Sequence, residues 1–223
     1  MSVLTHVLWD WNGTLLDDLD AAIDAMNRVL AASGLPLLDR ARYRSVFGFP
    51  VQDYYGRLGF GPEHGTFEDW ARAFLDAYDR GASGIPIRRE ARAILTRLKG
   101  AGLRQVVLSA ARAGHLQEMI TWHELGDFFE ELLGRDDHHA SGKLDVARAW
   151  IERTGVDPAR LLLVGDTMHD YEVAREIGAH CVLIAEGHHG EARLRACDCA
   201  VLGTLEDLYT ADTPVRAYLA QAS

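Results

Sequence analysis

Three apolar runs in this 223-residue chain stop abruptly at side chains able to do chemistry. Val7-Leu8-Trp9 ends in Asp10, followed by Asn12, Gly13 and Thr14; Val106-Val107-Leu108 ends in Ser109; Leu161 to Val164 runs through Gly165 into Asp166, with Asp170 close behind. A carboxylate at the end of a buried strand stands where open α/β sheets bind their ligands. Asp followed by Asn-Gly is also the composition of an ordinary turn. If the three runs are parallel strands, their carboxyl ends share one rim and these side chains converge. Carboxylates packed together repel one another unless a cation neutralises them. An oxygen-only donor set suits a hard ion, and Mg²⁺, which keeps waters and bridges to phosphate, is the expected cofactor. Asp170 opens a helix, where the helix dipole alone would favour an acid. Of the two lysines in the chain, Lys99 lies at a helix end, where a cation is favoured. Lys143 follows Ser141-Gly142 at a helix start, where a cation opposes the dipole; it implies either a nearby anion or a solvated side chain.

The elements that must hold these residues alternate. Strand patterns at Gln105–Leu108, Phe128–Leu133, Leu161–Val164, Cys181–Ile184 and Ala200–Leu202 are interleaved with helical patterns over 88–99, 114–123, 142–153 and 170–177. The pattern predicts an α/β fold, a doubly wound parallel-sheet (Rossmann-like) core with helices on both faces. Between Asp18 and Tyr78 there is no strand pattern. Leu19, Ala22, Ile23, Met26, Val29 and Leu30 recur at helical spacing, helical stretches follow over about 39–47 and 51–58, and Thr66 with Asp69 signals another start. An all-helical insert over 17–84 is therefore expected inside a core made of 1–16 and 85–223. Its connections, near residue 16 and at Gly81-Ala82-Ser83-Gly84-Ile85-Pro86, are the expected hinges of a lid over the strand-end loop; a fixed helical subdomain is the alternative.

Composition narrows the function classes. A net charge of −10 supplies no basic footprint, so no nucleic-acid role is expected. No apolar run reaches a membrane span and no basic segment precedes an apolar signal core, so no membrane association and a cytoplasmic location are expected. Cys181, Cys197 and Cys199 lack a second ligand pair and read as ordinary thiols. The adjacent histidines His138-His139 and His188-His189 are not expected to face one ion, and no metal is assigned to them.

Taken together, these motifs resemble the haloacid dehalogenase superfamily, specifically its phosphoglycolate-phosphatase-like branch with a small helical cap. Asp10-Trp11-Asn12-Gly13-Thr14 matches the first motif, Ser109 the second, Lys143 the third and Gly165-Asp166-Thr167-Met168-His169-Asp170 the fourth. The resemblance implies a phosphatase acting on a small phosphorylated metabolite, as a monomer or weak dimer. It implies that Asp10 is the nucleophile and forms an aspartyl-phosphate. Mg²⁺ would be held by Asp10, the backbone carbonyl of Asn12 and Asp166, with Asp170 in support. Ser109 and Lys143 would bind the phosphoryl group and Thr14 would steady the loop.

One position departs from that pattern. The family's phosphatases usually carry a second aspartate two residues after the nucleophile, as general acid and base, and this chain has Asn12. An amide cannot exchange a proton at neutral pH as a carboxyl does. Losing such catalysis slows a reaction by about 10²–10⁴, least for good leaving groups. A phosphoryl-binding or regulatory protein with little turnover is the alternative reading. The cap would carry specificity: Arg42, Arg44 and Arg57 flank Phe47-Gly48-Phe49-Pro50 and Tyr54-Tyr55, a mix suited to an anionic, partly apolar phosphate, or else to solvated helix faces.

Overall fold

The structure, a computed structural model, describes residues 4–135 and 142–222. Its six parallel strands are β1 (His6–Trp9), β2 (Arg104–Arg112), β3 (Glu131–Arg135), β4 (Leu161–Gly165), β5 (His180–Ile184) and β6 (Ala200–Leu202), in the order β3-β2-β1-β4-β5-β6. After β1 come four helices without an intervening strand, α1 (Leu19–Ala32), α2 (Arg40–Val46), α3 (Val51–Leu58) and α4 (Phe67–Asp79). The later helices are α5 (Ala91–Gly100), α6 (Ala113–Trp122), α7 (Lys143–Thr154), α8 (Met168–Ile177), the short α9 (Glu191–Leu194) and α10 (Pro214–Ala222). This is the doubly wound α/β sheet that the alternation predicted. Among the described residues no helix is long and apolar enough to cross a membrane.

The sheet is buried on both faces, as parallel sheets must be. Leu8 faces one core with Val106, Leu108, Leu161 and Leu163, while Val7 and Trp9 face the other with Val107, Leu162 and Val164. Register then sets the rim. Trp9 pairs with Val107 on one side and Val164 on the other, so Asp10, Ser109 and Asp166 leave their strands within two residues of a common level. Strand order reverses between β1 and β4, the switch point where such sheets open a crevice.

Two boundaries differ from expectation. β2 runs on past Ser109 to Arg112, with a register irregularity after Leu108. β3 begins at Glu131 rather than Phe128, because Gly126–Phe128 forms a 3₁₀ turn; Phe128 and Phe129 pack on the core as turn residues, which gave them their strand-like apolarity. The links between the sheet and the α1–α4 helices lie side by side. Leu16 bridges Ile87 in antiparallel fashion, Asp17 N–H donates to the Pro86 carbonyl at 2.9 Å and Arg88 N–H to that of Leu15 at 2.8 Å.

A buried amide ties β1 to β2 below the rim. The Trp9 indole N–H donates to Gln105 Oε1 at 3.1 Å, and Gln105 Nε2 donates to the Leu95 carbonyl at 3.0 Å. Gln105→Ala leaves both partners unpaired in the core, and a loss of about 1–3 kcal/mol is expected in urea unfolding. An unchanged midpoint would show that water or a neighbour replaces the amide.

Candidate active site

At the rim the carboxylates meet. Asp10, Asp166 and Asp170 are buried, and each offers an oxygen within 4.8 Å of the others'. Lys143 Nζ donates to Asp10 Oδ1 at 2.6 Å and also to Asp170 Oδ1. Its position at the first residue of α7, unfavourable for a cation, is thus held by two anions. Thr14 Oγ1 lies 3.2 Å from Asp10 Oδ2 and 3.1 Å from Asp166 Oδ1 and serves both. Asp170 Oδ2 accepts from Thr167 Oγ1 at 2.6 Å and from Thr167 N–H at 3.0 Å, a capping box that fixes the start of α8. Ser109, also buried, accepts from the Ala111 N–H at 3.0 Å.

Burial raises the Asp10 carboxyl well above its usual range despite the Lys143 charge, and burial raises Asp166 too. For Asp170 burial acts upward as well, but Lys143 and the Thr167 donors hold it below the usual value. Burial acts to lower Lys143, yet Asp10 and Asp170 prevail and keep it protonated.

A second cluster adjoins the first, and sequence reasoning did not find it. Asp18 precedes α1 but makes no capping hydrogen bond. Its carboxylate turns inward and accepts from Gly13 N–H at 2.7 Å, Asn12 Nδ2 at 2.9 Å and the Tyr78 hydroxyl at 2.7 Å, with His188 Nε2 at 3.2 Å. His188 N–H donates to Asp166 Oδ2 at 2.6 Å, and its Nδ1 is 2.9 Å from the Tyr43 hydroxyl. Burial acts to lower His188, but Asp18, then Asp166 and Asp10, push it up to about 9. Asp18 is held below the carboxylate range: burial acts upward, and the His188 charge and the Asn12 and Tyr78 donors outweigh it. Asp18 resembles a helix cap in sequence and His188 a loop histidine, so no local signal pointed to either. The other histidine pair, His138-His139, lies outside the described residues.

Glycine permits this crowding. Gly13 has φ +78°, and a Cβ there would stand 2.2 Å from Asp166 Oδ2; one on Gly187 would stand 2.1 Å from the same atom. Behind the loop the buried Arg88 donates to the Gly13 carbonyl from Nε at 3.1 Å and Nη2 at 2.8 Å. Asn12 is half-buried, its amide fully occupied by Asp18 and Tyr78.

Four buried carboxylates, Asp10, Asp18, Asp166 and Asp170, contact two buried cations, Lys143 and protonated His188, while buried Arg88 faces Asp17 and Glu186 instead. Two negative charges are left over when all are ionised. An all-oxygen cluster with that charge fits one divalent hard cation, and Mg²⁺ suits it.

Comparison with known proteins agrees with the motifs. Residues 7–184 match the family model for haloacid dehalogenase-like hydrolase. The chain is 24% identical over 202 residues to a probable phosphatase, IndB, of Dickeya dadantii, covering 88% of this chain and 87% of that one. It is 28% identical over 196 residues to a phosphoglycolate phosphatase of Rhodospirillum rubrum, covering 83% and 81%. A haloacid dehalogenase-like family hydrolase of Streptococcus pneumoniae superposes with a TM-score of 0.80 over the whole of both chains at 20% identity.

The Asp18–His188 pair makes stability depend on pH. A histidine raised from 6.5 to about 9 contributes stability that is full below 6.5 and lost as pH rises through about 9. Asp18, depressed, contributes above its unfolded value and loses this in acid. Metal-free protein should therefore lose thermal stability between about pH 6.5 and 9, and His188→Gln should flatten that slope while lowering stability at pH 6. An identical slope in the variant would assign the titration elsewhere.

Proposed function

The chain belongs to the haloacid dehalogenase-like hydrolases, and from that membership we propose that it is a Mg²⁺-dependent phosphatase of a small phosphorylated metabolite, working through an aspartyl-phosphate on Asp10. The observation that carries the reading is the Lys143 ammonium held between Asp10 and Asp170, with Asp166 beside them. The Asp10 side chain and the Asn12 carbonyl, with Asp166 and with Asp170 in support, would hold Mg²⁺. When bound, the ion supplies charge neutralisation that lets an anionic nucleophile approach an anionic ester.

The chain's own residues do the rest. Asp10 attacks phosphorus, expelling the alcohol oxygen as its anion, and water then attacks the phosphorus of the aspartyl-phosphate, releasing phosphate and returning the Asp10 carboxylate. Lys143 opposes the effect of burial on Asp10, favouring its ionised form, and, with Ser109, receives the equatorial phosphoryl oxygens. Thr14 keeps Asp10 and Asp166 apart. Asp170 acts mainly on Lys143 and on the α8 start, since both of its oxygens are occupied there. Helices α1–α4, within residues 17–84, form a cap on the core of 1–16 and 85–223. The paired links at 15–17 and 86–88 serve as its hinge.

No proton donor stands at residue 12. The Asn12 amide is spent on Asp18 and Tyr78, and Asp18 accepts at both oxygens. His169, the neighbour of Asp170, faces Glu172 and Phe49 instead. Substrates whose leaving oxygen needs little protonation are therefore favoured. The same observation supports a second reading, a phosphoryl-ligand-binding protein with little turnover. A phosphate panel run with Mg²⁺ decides between them. Turnover of p-nitrophenyl phosphate that disappears in Asp10→Asn and with EDTA supports the enzyme, whereas turnover surviving EDTA would sink it. Binding without hydrolysis across the panel would favour the second reading.

Asn12→Asp should raise turnover of alkyl phosphates relative to aryl phosphates, by up to about 10²–10⁴ where protonation limits the rate. The new carboxyl would face Asp18, so one proton shared between them should lift its pKa into the range of a general acid. Pairing the change with Asp18→Asn removes that sharing and should return less of the gain. An alkyl-to-aryl ratio unmoved by Asn12→Asp would place the proton donor elsewhere.

A further inference from the structure

All three cysteines lie toward the β6 edge of the sheet, and the reaction described above uses none of them. Cys181 is in β5, and Cys197 and Cys199 are in the segment that leads into β6. β5 and β6 run parallel with Val182 opposite Ala200, Leu183 opposite Val201 and Ile184 opposite Leu202. One step earlier, that register sets Cys181 opposite Cys199. Their side chains share a face: Cys181, Leu183, Cys199 and Val201 belong to one apolar cluster, while Val182, Ile184, Ala200 and Leu202 pack on the other side of the sheet. The two thiols also act on one another. Hydrogen bonding with Cys199, then burial, pushes Cys181 up, whereas the hydrogen bond with Cys181 pulls Cys199 down against burial.

Neighbouring strands lie about 4.8 Å apart, within the Cα separation of about 4.4–6.8 Å that a disulfide spans. Disulfide Cβ atoms stand about 3.8 Å apart, so the two residues would have to draw together by about 1 Å. β6 is an edge strand of three residues and Cys199 precedes its first paired residue, so the chain there is held from one side only. Cys197 differs from the pair. It is buried with Leu183 and Leu194, and burial, then Cys199, pushes its thiol up to about 11, which makes it a poor nucleophile. Cys199 is half-buried and within reach of a small oxidant. The three sulfurs do not gather as metal ligands: among the described residues only Asp10, Asp166 and Asp170 bring three ligand atoms within 4.8 Å of one another.

We propose that Cys181 and Cys199 are a peroxide-responsive thiol pair that closes into a reversible disulfide. The Cys199 thiolate attacks one oxygen of hydrogen peroxide, the O–O bond breaks, and Cys199 becomes a sulfenic acid. The Cys181 sulfur then attacks Cys199 Sγ, the S–O bond breaks, and the departing hydroxide leaves as water with the Cys181 proton. In sum, two thiols and one hydrogen peroxide give one disulfide and two waters, two electrons passing from sulfur to oxygen. A dithiol reverses the change by exchange. The ring so closed runs from 181 to 199 and contains residues that join this side of the sheet to the rim and to α2. His188 N–H donates to Asp166 Oδ2 at 2.6 Å, and Arg193 Nη1 donates to the carbonyls of Arg44 at 2.9 Å and Phe47 at 2.6 Å. Oxidation therefore restrains that segment. None of this depends on the phosphatase reading.

The test is exposure of the folded full chain to hydrogen peroxide, followed by thiol titration and peptide mass mapping without reductant. Two of the three thiols should be lost, and a peptide pair joined through Cys181 and Cys199, lighter by two hydrogens, should appear and vanish again with dithiothreitol. Cys197→Ser should cross-link to the same extent. In Cys181→Ser the sulfenic acid has no partner, so Cys199 should pass on to sulfinic acid. Backbone hydrogen exchange over 185–199 should slow on oxidation and recover on reduction. Survival of all three thiols under peroxide that oxidises free cysteine in the same tube overturns the proposal. A cross-link through Cys197, or between two chains, overturns it as well. If Cys181→Ser does not fold, the map of the unaltered chain decides alone. The expected cross-link with unchanged exchange over 185–199 overturns the restraint of the His188 segment.

Discussion

Four carboxylates buried around one strand-end loop are the constraint from which the rest of this structure follows. Each would be costly to bury alone, and together they repel. The remedies are visible residue by residue. Lys143 stands where a helix dipole disfavours it, because Asp10 and Asp170 outweigh the dipole. His188 is charged in a place where burial alone would neutralise it, because Asp18 is beside it. Thr14 and Thr167 spend their hydroxyls on carboxylates. Even so, two negative charges remain when all four are ionised, a surplus that one divalent cation would match.

The same charges organise the approach of the α1–α4 helices to the sheet. The polar contacts across that boundary converge on the 186–193 segment: Arg44 Nε to the Gly187 carbonyl at 2.9 Å, Tyr43 to His188, and Arg193 to two carbonyls of α2 and its end. On the other side Tyr78 reaches Asp18 and Asn12. His188 joins Tyr43 of α2 to Asp166, so this boundary is tied directly to a carboxylate of the rim.

Much of this was legible in the sequence, for definable reasons. The parallel sheet could be read because buried strands and glycine-ended helices leave strong local patterns. The convergence of Asp10, Asp166 and Asp170 could be read because parallel register turns strand ends into neighbours. Lys143 stood out through its conflict with the helix dipole. Asp18 could not be read, since a polar residue before a helix is explained by capping and nothing local shows its carboxylate turning inward. His188 and His189 were equally opaque: adjacent in sequence, they point apart, one toward Asp18 and the other toward Gly48. Of the arginines flanking Phe47 to Pro50, Arg44 proves to be spent on backbone carbonyls while Arg57 retains a free nitrogen, a difference fixed only by tertiary contact.

Asn12 is best understood together with Asp18. A carboxylate at residue 12 would meet the Asp18 carboxylate where a hydrogen bond of 2.9 Å now runs, and the Tyr78 hydroxyl could donate to only one of them. An amide supplies the donor that Asp18 needs and completes its four partners. Asn12 therefore matches a pocket in which the negative charge sits six residues along the chain, on a side chain that also anchors Gly13 and His188. The amide at residue 12 is then part of a charge network that keeps the loop beside Asp10 in place. For the phosphatase proposed above, that network offers no proton donor at residue 12, and the substrate that complements it is one whose leaving group needs none.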